Sequence, residues 1–387
     1  MQHRVTVRDQ GFSLLEMTIA MALGAVVMAA AVSMFSKAVS GTWLVSQRAE
    51  MQQDFRAAST MLTKDISMAG SGMGNNVQIA LPSGNGVKVP VYGCDQTPKC
   101  YINSGAVAYP TQTVSGVAVP YLYGLMTGPK FGPTLNAAGG PTDVITVVNA
   151  DTVFLLSCYS VSVTNATVVR FTLTNPLPVT CIVPPPLLAP QAVNDGVIGL
   201  TPGDLVQLQV TIGVGNGATS STVIGEVTNV QAAGNNAKGE PQYDVTFAAG
   251  DPLKMNQPAA AAGSLAQIIG GTGTANRINV ISYYIDNSIV PPRLMRQTSG
   301  HTPTPLAENV AFLQFSYDLY DSSTSTLLTD QPDTNTLTPN QITKINIKHM
   351  SVASTLHGSG GYQGLDLQTS VSARDLTFKN DYPLSSH

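Results

Sequence analysis

The chain has 387 residues, of which only 11% are charged, and its net charge of −4 leaves no basic surface for a nucleic-acid partner. A hydrophobic content of 43% argues against disorder, which needs few apolar residues and many charges. The 35 glycines and 25 prolines follow no three-residue period, which excludes collagen and favours a β protein rich in turns.

A polar leader and a long apolar segment open the chain. Residues 1–11 contain two arginines and one aspartate, and residues 12–36 contain a single charge, Glu16. These 25 residues exceed the roughly 20 that a helix needs to cross a bilayer. Positive charge before the apolar segment keeps the leader in the cytoplasm and places the rest of the chain across the membrane.

Two simpler interpretations of this segment are a cleaved secretory signal and a plain membrane anchor. The apolar part of a secretory signal is usually about 7–15 residues long, so this segment is too long, although small residues at 29–31 resemble a signal cleavage site. Neither interpretation explains Glu16, because a carboxylate costs about 2.5–3.5 kcal/mol at the centre of a bilayer. We therefore treat Glu16 as a functional-site hypothesis that requires a partner.

An amphipathic helix is predicted to follow the membrane segment over residues 37–68. This stretch has no proline, and its apolar residues recur at helical spacing on one face: Leu44, Met51, Phe55, Ala58, Leu62 and Ile66. The charged residues between them are expected on a solvated or partner-facing surface: Arg48, Glu50, Asp54, Arg56, Lys64 and Asp65. Glycines at 70, 72 and 74 are typical of the end of a helix.

From residue 69 to 387 the pattern changes to that of strands. Apolar and polar residues alternate with period two in three segments, at 205–212, 312–319 and 344–348. Less regular candidate strands lie at 144–149, 167–174, 222–230, 242–247, 277–285 and 367–379. We therefore expect an α+β protein in which one long helix precedes a β-rich, mainly antiparallel head.

Two segments of the head, 184–203 and 251–276, have the composition of loops. The first begins with consecutive prolines, and the second is almost uncharged and rich in glycine and alanine. They are expected to mark the edges of an inserted β subdomain at about 184–276.

All four cysteines follow the membrane segment and would lie outside the cytoplasm. An even number of cysteines in an exported chain indicates disulfides, for which three pairings exist. Joining nearest neighbours is the simplest choice, which gives Cys94–Cys100 and Cys158–Cys181. Free thiols and a zinc site are the alternatives, although the spacing does not fit zinc.

Catalytic and cofactor-binding motifs are absent from the sequence. There is no nucleophile elbow, zinc-protease motif or phosphate-binding loop, so we expect no enzymatic activity, cofactor or metal. Asp330 and Asp333 are the weak alternative for a calcium site, and Arg293 and Arg296 are interpreted as charges of an edge strand.

The residues from Gly11 to Glu16, with the sequence GFSLLE, resemble the cleavage motif of type IV prepilins. The resemblance implies that a prepilin peptidase cuts after Gly11 and that the new amino terminus, Phe12, is methylated. It also implies that Glu16 takes part in subunit assembly, because an ammonium on Phe12 buried among apolar helices needs a carboxylate partner.

The carboxyl-terminal third, residues 277–383, resembles PilW-type minor pilins in the order of its strands and of its arginine and tyrosine positions. The resemblance implies a minor pilin of the bacterial inner membrane, with its head in the periplasm, that joins other major and minor pilins on the assembly platform and initiates or caps a pilus. A type II secretion pseudopilin is the alternative within this group. An adhesive or sugar-binding module is the other, motivated by aromatic residues in 92–131: Tyr92, Tyr101, Tyr109, Tyr121, Tyr123 and Phe131.

Overall fold

The computed structural model describes residues 12–73, 78–84, 86–102, 105–136, 140–154, 156–178, 181, 192–213, 217–258, 261–334, 337–353, 364–373 and 376. One long helix precedes a head built from antiparallel strands, which confirms the predicted α+β architecture. The helix, α1 (Leu14–Ser67), has 54 residues and is about 80 Å long at 1.5 Å per residue.

The strands of the head are short at its beginning and longer towards its end. In chain order they are β1 (Gln78–Ala80), β2 (Val91–Tyr92), β3 (Val107–Ala108), β4 (Thr111–Val114), β5 (Val117–Tyr123), β6 (Leu125–Gly128), β7 (Thr134–Asn136), β8 (Gly140–Pro141), β9 (Val144–Ala150), β10 (Tyr159–Val163), β11 (Val168–Leu173), β12 (Leu205–Ile212), β13 (Thr219–Glu226), β14 (Asn229–Asn235), β15 (Pro241–Thr246), β16 (Thr272–Asp286), β17 (Arg293–Thr298), β18 (Thr304–Glu308), β19 (Val310–Asp321), β20 (Thr326–Gln331), β21 (Ile342–Ala353) and β22 (Gly364–Ser372). Short 3-10 helices lie at Leu156–Cys158, Leu265–Ile268 and Pro339–Gln341.

Two sheets form most of the head. The larger has eleven strands, with β16 at its centre paired to β9, β10, β12 and β17. The smaller has four strands in the order β20-β19-β21-β22. The remaining strands form one three-stranded and two two-stranded sheets.

The apolar side chains of the head form two separate cores. The first joins the second half of α1 to β9, to the second half of β16 and to the four-stranded sheet. The second lies among β10–β13, β15 and the first half of β16. Since β16 has 15 residues, it belongs to both cores and connects them.

Composition was misleading for part of the segment 251–276. The sequence indicated a loop throughout, but β16 already begins at Thr272, and the 3-10 helix Leu265–Ile268 buries both of its terminal side chains in the second core. Pairing with β12 explains why this glycine-rich segment is a strand and not a loop. Each residue from Thr272 to Ile278, at the start of β16, is paired with a residue of β12. β12–β15 belong to the same eleven-stranded sheet as β6, β9–β11 and β16–β18. The boundaries of an inserted subdomain at 184–276 stay a prediction.

The second half of α1 is attached to the head by the predicted apolar face. Five of the six residues of that face are buried, and Leu44 is half-buried. Each large apolar side chain that is fully buried contributes about 1.5–3 kcal/mol to stability, so Met51, Phe55, Leu62 and Ile66 dominate the attachment. The buried attachment of the helix therefore begins at Met51, and the residues before it are exposed apart from the half-buried Leu44 and Gln47.

The charges of this part of the helix were predicted on a solvated or partner-facing surface, but the side chain of Asp65 is buried against the head. Its carboxylate accepts hydrogen bonds from the Tyr283 hydroxyl at 2.6 Å and from the Arg296 Nε at 2.9 Å. Burial opposes the charge of Arg296, but the Asp65 carboxylate outweighs burial and raises the pKa of Arg296 above its usual value. Arg296 is thus part of an ion pair between helix and sheet, whereas Arg293 pairs with Glu308 of the neighbouring β18. The prediction of an edge strand is wrong, because β17 is paired with β16 on one side and with β18 on the other.

Candidate functional site

The first half of α1 has no cover from its own head. Every side chain from Phe12 to Glu50 is exposed except those of Leu44 and Gln47, which are half-buried. The exposed residues include a long series of large apolar side chains: Phe12, Leu14, Leu15, Met17, Ile19, Met21, Leu23, Val26, Val27, Met28, Val32, Met34, Phe35, Val39, Trp43 and Val45. Because a helix apolar on all sides is stable only in lipid or among other apolar helices, this half requires an apolar environment outside the subunit. Among the described residues, α1 is the one helix long and apolar enough to cross a membrane.

Glu16 lies at the start of this exposed half and caps the helix. Its Oε2 accepts hydrogen bonds from the Ser13 amide at 3.0 Å and from the Ser13 hydroxyl at 3.1 Å. In return, the Ser13 hydroxyl oxygen accepts from the Glu16 amide at 3.2 Å, which completes a capping box. Capping was not among the roles predicted for Glu16 from the sequence, although a serine followed three residues later by a glutamate is a recognisable capping signal.

The capping box places Glu16 beside the predicted cleavage point. Phe12 directly precedes the capping serine and is 90% exposed, whereas Gly11 lies outside the described residues. An ammonium created on Phe12 would therefore lie two residues before the first residue of the helix and four positions before Glu16. In the single subunit the carboxylate already has hydrogen-bond donors, and neither group is covered by protein.

The cysteines form the two nearest-neighbour disulfides, Cys94–Cys100 and Cys158–Cys181. The first closes a small loop whose ends form an isolated β-bridge. The second joins the last residue of the 3-10 helix Leu156–Cys158, directly before β10, to a cysteine 23 residues further on, and both of its cysteines are buried in the second core. In the chain-entropy account, closing a loop of that length stabilises the head by about 3 kcal/mol.

The other candidate residues of the head form ordinary structural contacts. Asp330 pairs with Lys348 at 2.8 Å and Asp333 accepts from the Thr127 hydroxyl at 2.6 Å, so the two carboxylates have different partners. Among the described residues, no group of three or more His, Cys, Asp or Glu side chains is placed to hold a metal ion. Of the histidines, His301 contacts Asp204 and His349 contacts Asp366.

The aromatic residues of 92–131 do not form an exposed contact surface. Tyr92, Tyr109 and Tyr123 are buried in the first core, and Tyr101, Tyr121 and Phe131 are partly buried against it. Burial raises the pKa of the Tyr123 hydroxyl to about 12, although its hydrogen bond with Gln112 acts in the opposite direction. This part of the chain therefore contributes to the core of the head.

A pair of buried carboxyl groups, Glu226 and Asp251, is the most unusual electrostatic feature of the head. Glu226, at the end of β13, is completely buried, and its Oε2 accepts from the Leu253 amide at 3.0 Å. The Gln96 side-chain amide donates to the other oxygen, Oε1. Asp251 accepts from the backbone amides of Met255 and Asn256. Burial, followed by the hydrogen bond and charge of Asp251, raises the pKa of Glu226 to about 9.

The pair predicts a specific pH dependence of stability. Glu226 keeps its proton in the folded state up to a pH of about 9, whereas the unfolded chain releases it near the ordinary glutamate pKa of about 4.3. Between these values the folded state binds more protons, so the free energy of unfolding falls as the pH rises, by at most about 1.4 kcal/mol per pH unit. Glu226→Gln is expected to flatten this slope and to be more stable than wild type at pH 8 but not at pH 4.

Urea unfolding of the detergent-solubilised protein at several pH values measures this difference. Glu50→Gln, which changes an exposed glutamate of α1, is the matched control and should leave the slope unchanged. Parallel curves for wild type and Glu226→Gln would show that Glu226 is ionised in the folded protein.

One known protein family matches the chain, and the match lies near its amino terminus. The prokaryotic N-terminal methylation motif matches residues 7–32, which include the predicted cleavage point and the first half of the exposed helix. No curated protein and no solved structure matches the chain significantly. The match supports processing by a prepilin peptidase and assembly with other pilins. Together with the exposed apolar helix and the β-rich head, the match supports a prepilin-like protein of the type IV pilin or pseudopilin kind.

Proposed function

We propose that this protein is a minor pilin that takes part in initiating or capping a type IV pilus, and that it acts without enzymatic activity. The supporting observation is the division of α1: residues up to Glu50 are not buried by their own head, whereas residues from Met51 onward attach the head firmly. Such a subunit stays in the inner membrane after synthesis and enters a filament when helices of other pilins replace the lipid. The peptidase, these pilins and the assembly platform are its partners.

The size and contents of the head favour a minor role over that of a repeated shaft subunit. The head has two cores, two disulfides and an eleven-stranded sheet, all carried by one helix. A pseudopilin of a type II secretion system would use the same helix, so pilus formation and protein secretion must both be measured. Deletion of the gene should reduce the number of surface pili and leave secretion intact. Normal piliation with defective secretion would favour the pseudopilin role.

Processing provides a direct test of the prepilin assignment. Cleavage after Gly11 and methylation of Phe12 are expected, because the motif presents a small residue before the cut and an apolar residue after it. Intact-mass measurement of membrane-purified protein should give the mass of residues 12–387, with two disulfides and one added methyl group. An uncleaved chain, or a chain that begins near Ala31 as after a secretory signal, would contradict the assignment. Protein from cells without the peptidase is the control and should keep its leader.

A further inference from the structure

Trp43 is an exposed aromatic residue in the first half of α1, beyond the end of the apolar segment 12–36. It is the only tryptophan of the chain and is 68% exposed. It continues a row of exposed apolar side chains along the helix: Met28, Val32, Phe35, Val39 and Trp43, at spacings of four, three, four and four. This row extends beyond Lys37 and ends eight residues before Met51, the first residue of the helix that is buried against the head.

The length of the apolar segment places Trp43 relative to a bilayer. If Glu16 lies at the inner border of the hydrocarbon, a span of about 20 residues ends at Ser36, directly before Lys37. The Cα of Trp43 is then about 10 Å further out, since each residue adds 1.5 Å. Side chains of a helix lean towards its amino terminus, so the indole ring points back towards the hydrocarbon by about one turn. The ring therefore falls within the outer headgroup layer, which is several Å thick.

The chemistry of this stretch fits the same layer. Residues 38–47 carry no charge and mix small, hydroxyl-bearing and apolar side chains, and the next charge after Lys37 is Arg48. Tryptophan is enriched where a bilayer meets water, because its ring is apolar while its N–H needs a polar partner. Phe35 and Val39 extend the membrane-facing row up to Trp43 without interruption.

We propose that Trp43 anchors the unassembled subunit in the outer headgroup layer of the bilayer and so sets the depth of the helix. The partner of the indole ring is the lipid headgroup region. The inference rests on the membrane-bound stage of the proposed function. The buried attachment of the helix to the head, which begins at Met51, then lies eight residues, or about 12 Å of helix, beyond Trp43. The anchor ensures that Glu16 stays at the inner border instead of being drawn into the hydrocarbon.

The single tryptophan makes a direct measurement feasible on the full-length, processed protein in phosphatidylcholine vesicles. Lipids brominated near the headgroup should quench the fluorescence more strongly than lipids brominated near the chain ends, and the emission should be shifted to the blue relative to unfolded protein. Two variants calibrate the depth: Trp43→Phe/Val39→Trp should shift quenching towards the deep probe, and Trp43→Phe/Ser46→Trp should lose most of it.

Three results would overturn the proposal. Stronger quenching by the deep bromines means that the span is displaced inward, and emission typical of water without lipid quenching means that Trp43 lies outside the bilayer. Blue-shifted emission that no lipid quenches, and that grows with the ratio of protein to lipid, means that another subunit covers the ring. The mass of the mature chain is measured on the same samples. A chain that starts at a methylated Phe12 would still support the proposed function, even if the fluorescence showed that Trp43 does not lie in the headgroup layer.

Discussion

Glu16→Gln is expected to leave membrane insertion, cleavage and helix capping intact but to remove most incorporation of the protein into pili. Glutamine serves in a capping box as glutamate does, so the hydrogen bonds to Ser13 survive the change. What disappears is the negative charge that can compensate an ammonium on Phe12 when apolar helices of other pilins surround both groups. Leaving one charge of a buried pair without its partner costs about 3–5 kcal/mol, and less where water reaches the site.

Glu16→Ala separates the charge from the cap. This variant loses the charge and the hydrogen bonds that the Glu16 carboxylate accepts from Ser13, whereas the backbone amide of residue 16 still donates to the Ser13 hydroxyl oxygen. Equal defects in the two variants therefore assign the effect to charge, whereas a defect confined to alanine assigns it to capping. The measurements are cross-linking to other pilins, pilus counts and the mass of the mature chain. Ser13→Ala, which removes only the capping hydroxyl, is the matched control and should assemble nearly normally.

Asp65→Asn is expected to destabilise the attachment of the helix to the head by about 3 kcal/mol. The change removes the charge that pairs with Arg296 while keeping the shape of the side chain. The guanidinium is then left largely buried without a counter-charge, and since a quarter of its side chain stays exposed, we use the lower end of the range for a broken buried pair. The Tyr283 hydroxyl keeps a carbonyl acceptor, so its hydrogen bond survives in a weaker form.

Urea unfolding in detergent, followed by near-ultraviolet circular dichroism, measures this loss. Asp54→Asn changes an exposed carboxylate on the same helix and is the matched control, with an expected effect close to zero. Arg296→Met combined with Asp65→Asn should recover part of the stability, because the unpaired charge is gone. Equal stability of Asp65→Asn and Asp54→Asn would mean that the apolar residues from Met51 to Ile66 hold the helix without help from the ion pair.

Trp43 and Asp65 have different roles in the two halves of the helix. Under our proposal Trp43 sets the position of the helix in the bilayer, and the ion pair of Asp65 with Arg296 joins the helix to the head. A subunit extracted from the membrane by neighbouring pilins would carry its head with it only if the attachment from Met51 to Ile66 holds.

The amino-acid sequence by itself determined the features that depend on near neighbours along the chain. The helix from Leu14 to Ser67 followed from apolar spacing and the absence of proline, and β12, β19 and β21 followed from period-two alternation, because both signals are local. The motif at Gly11–Glu16 is likewise read within six residues, and its match at residues 7–32 supports the prepilin assignment. The nearest-neighbour cysteine pairs are the same pairs that the structure joins.

Only the tertiary structure decided which polar and aromatic residues are buried. In the sequence, Asp65 has the position of a charge on a solvated helix face. Its partners, Tyr283 and Arg296, lie 218 and 231 residues further along the chain. Glu226 and Asp251 become a buried pair because a loop folds back over the end of β13, and the tyrosines near residue 100 enter a core that strands from the far end of the chain complete. No local pattern encodes such contacts, since they arise when distant segments exclude water from a shared site and the free energy of each charge there depends on the partners it meets.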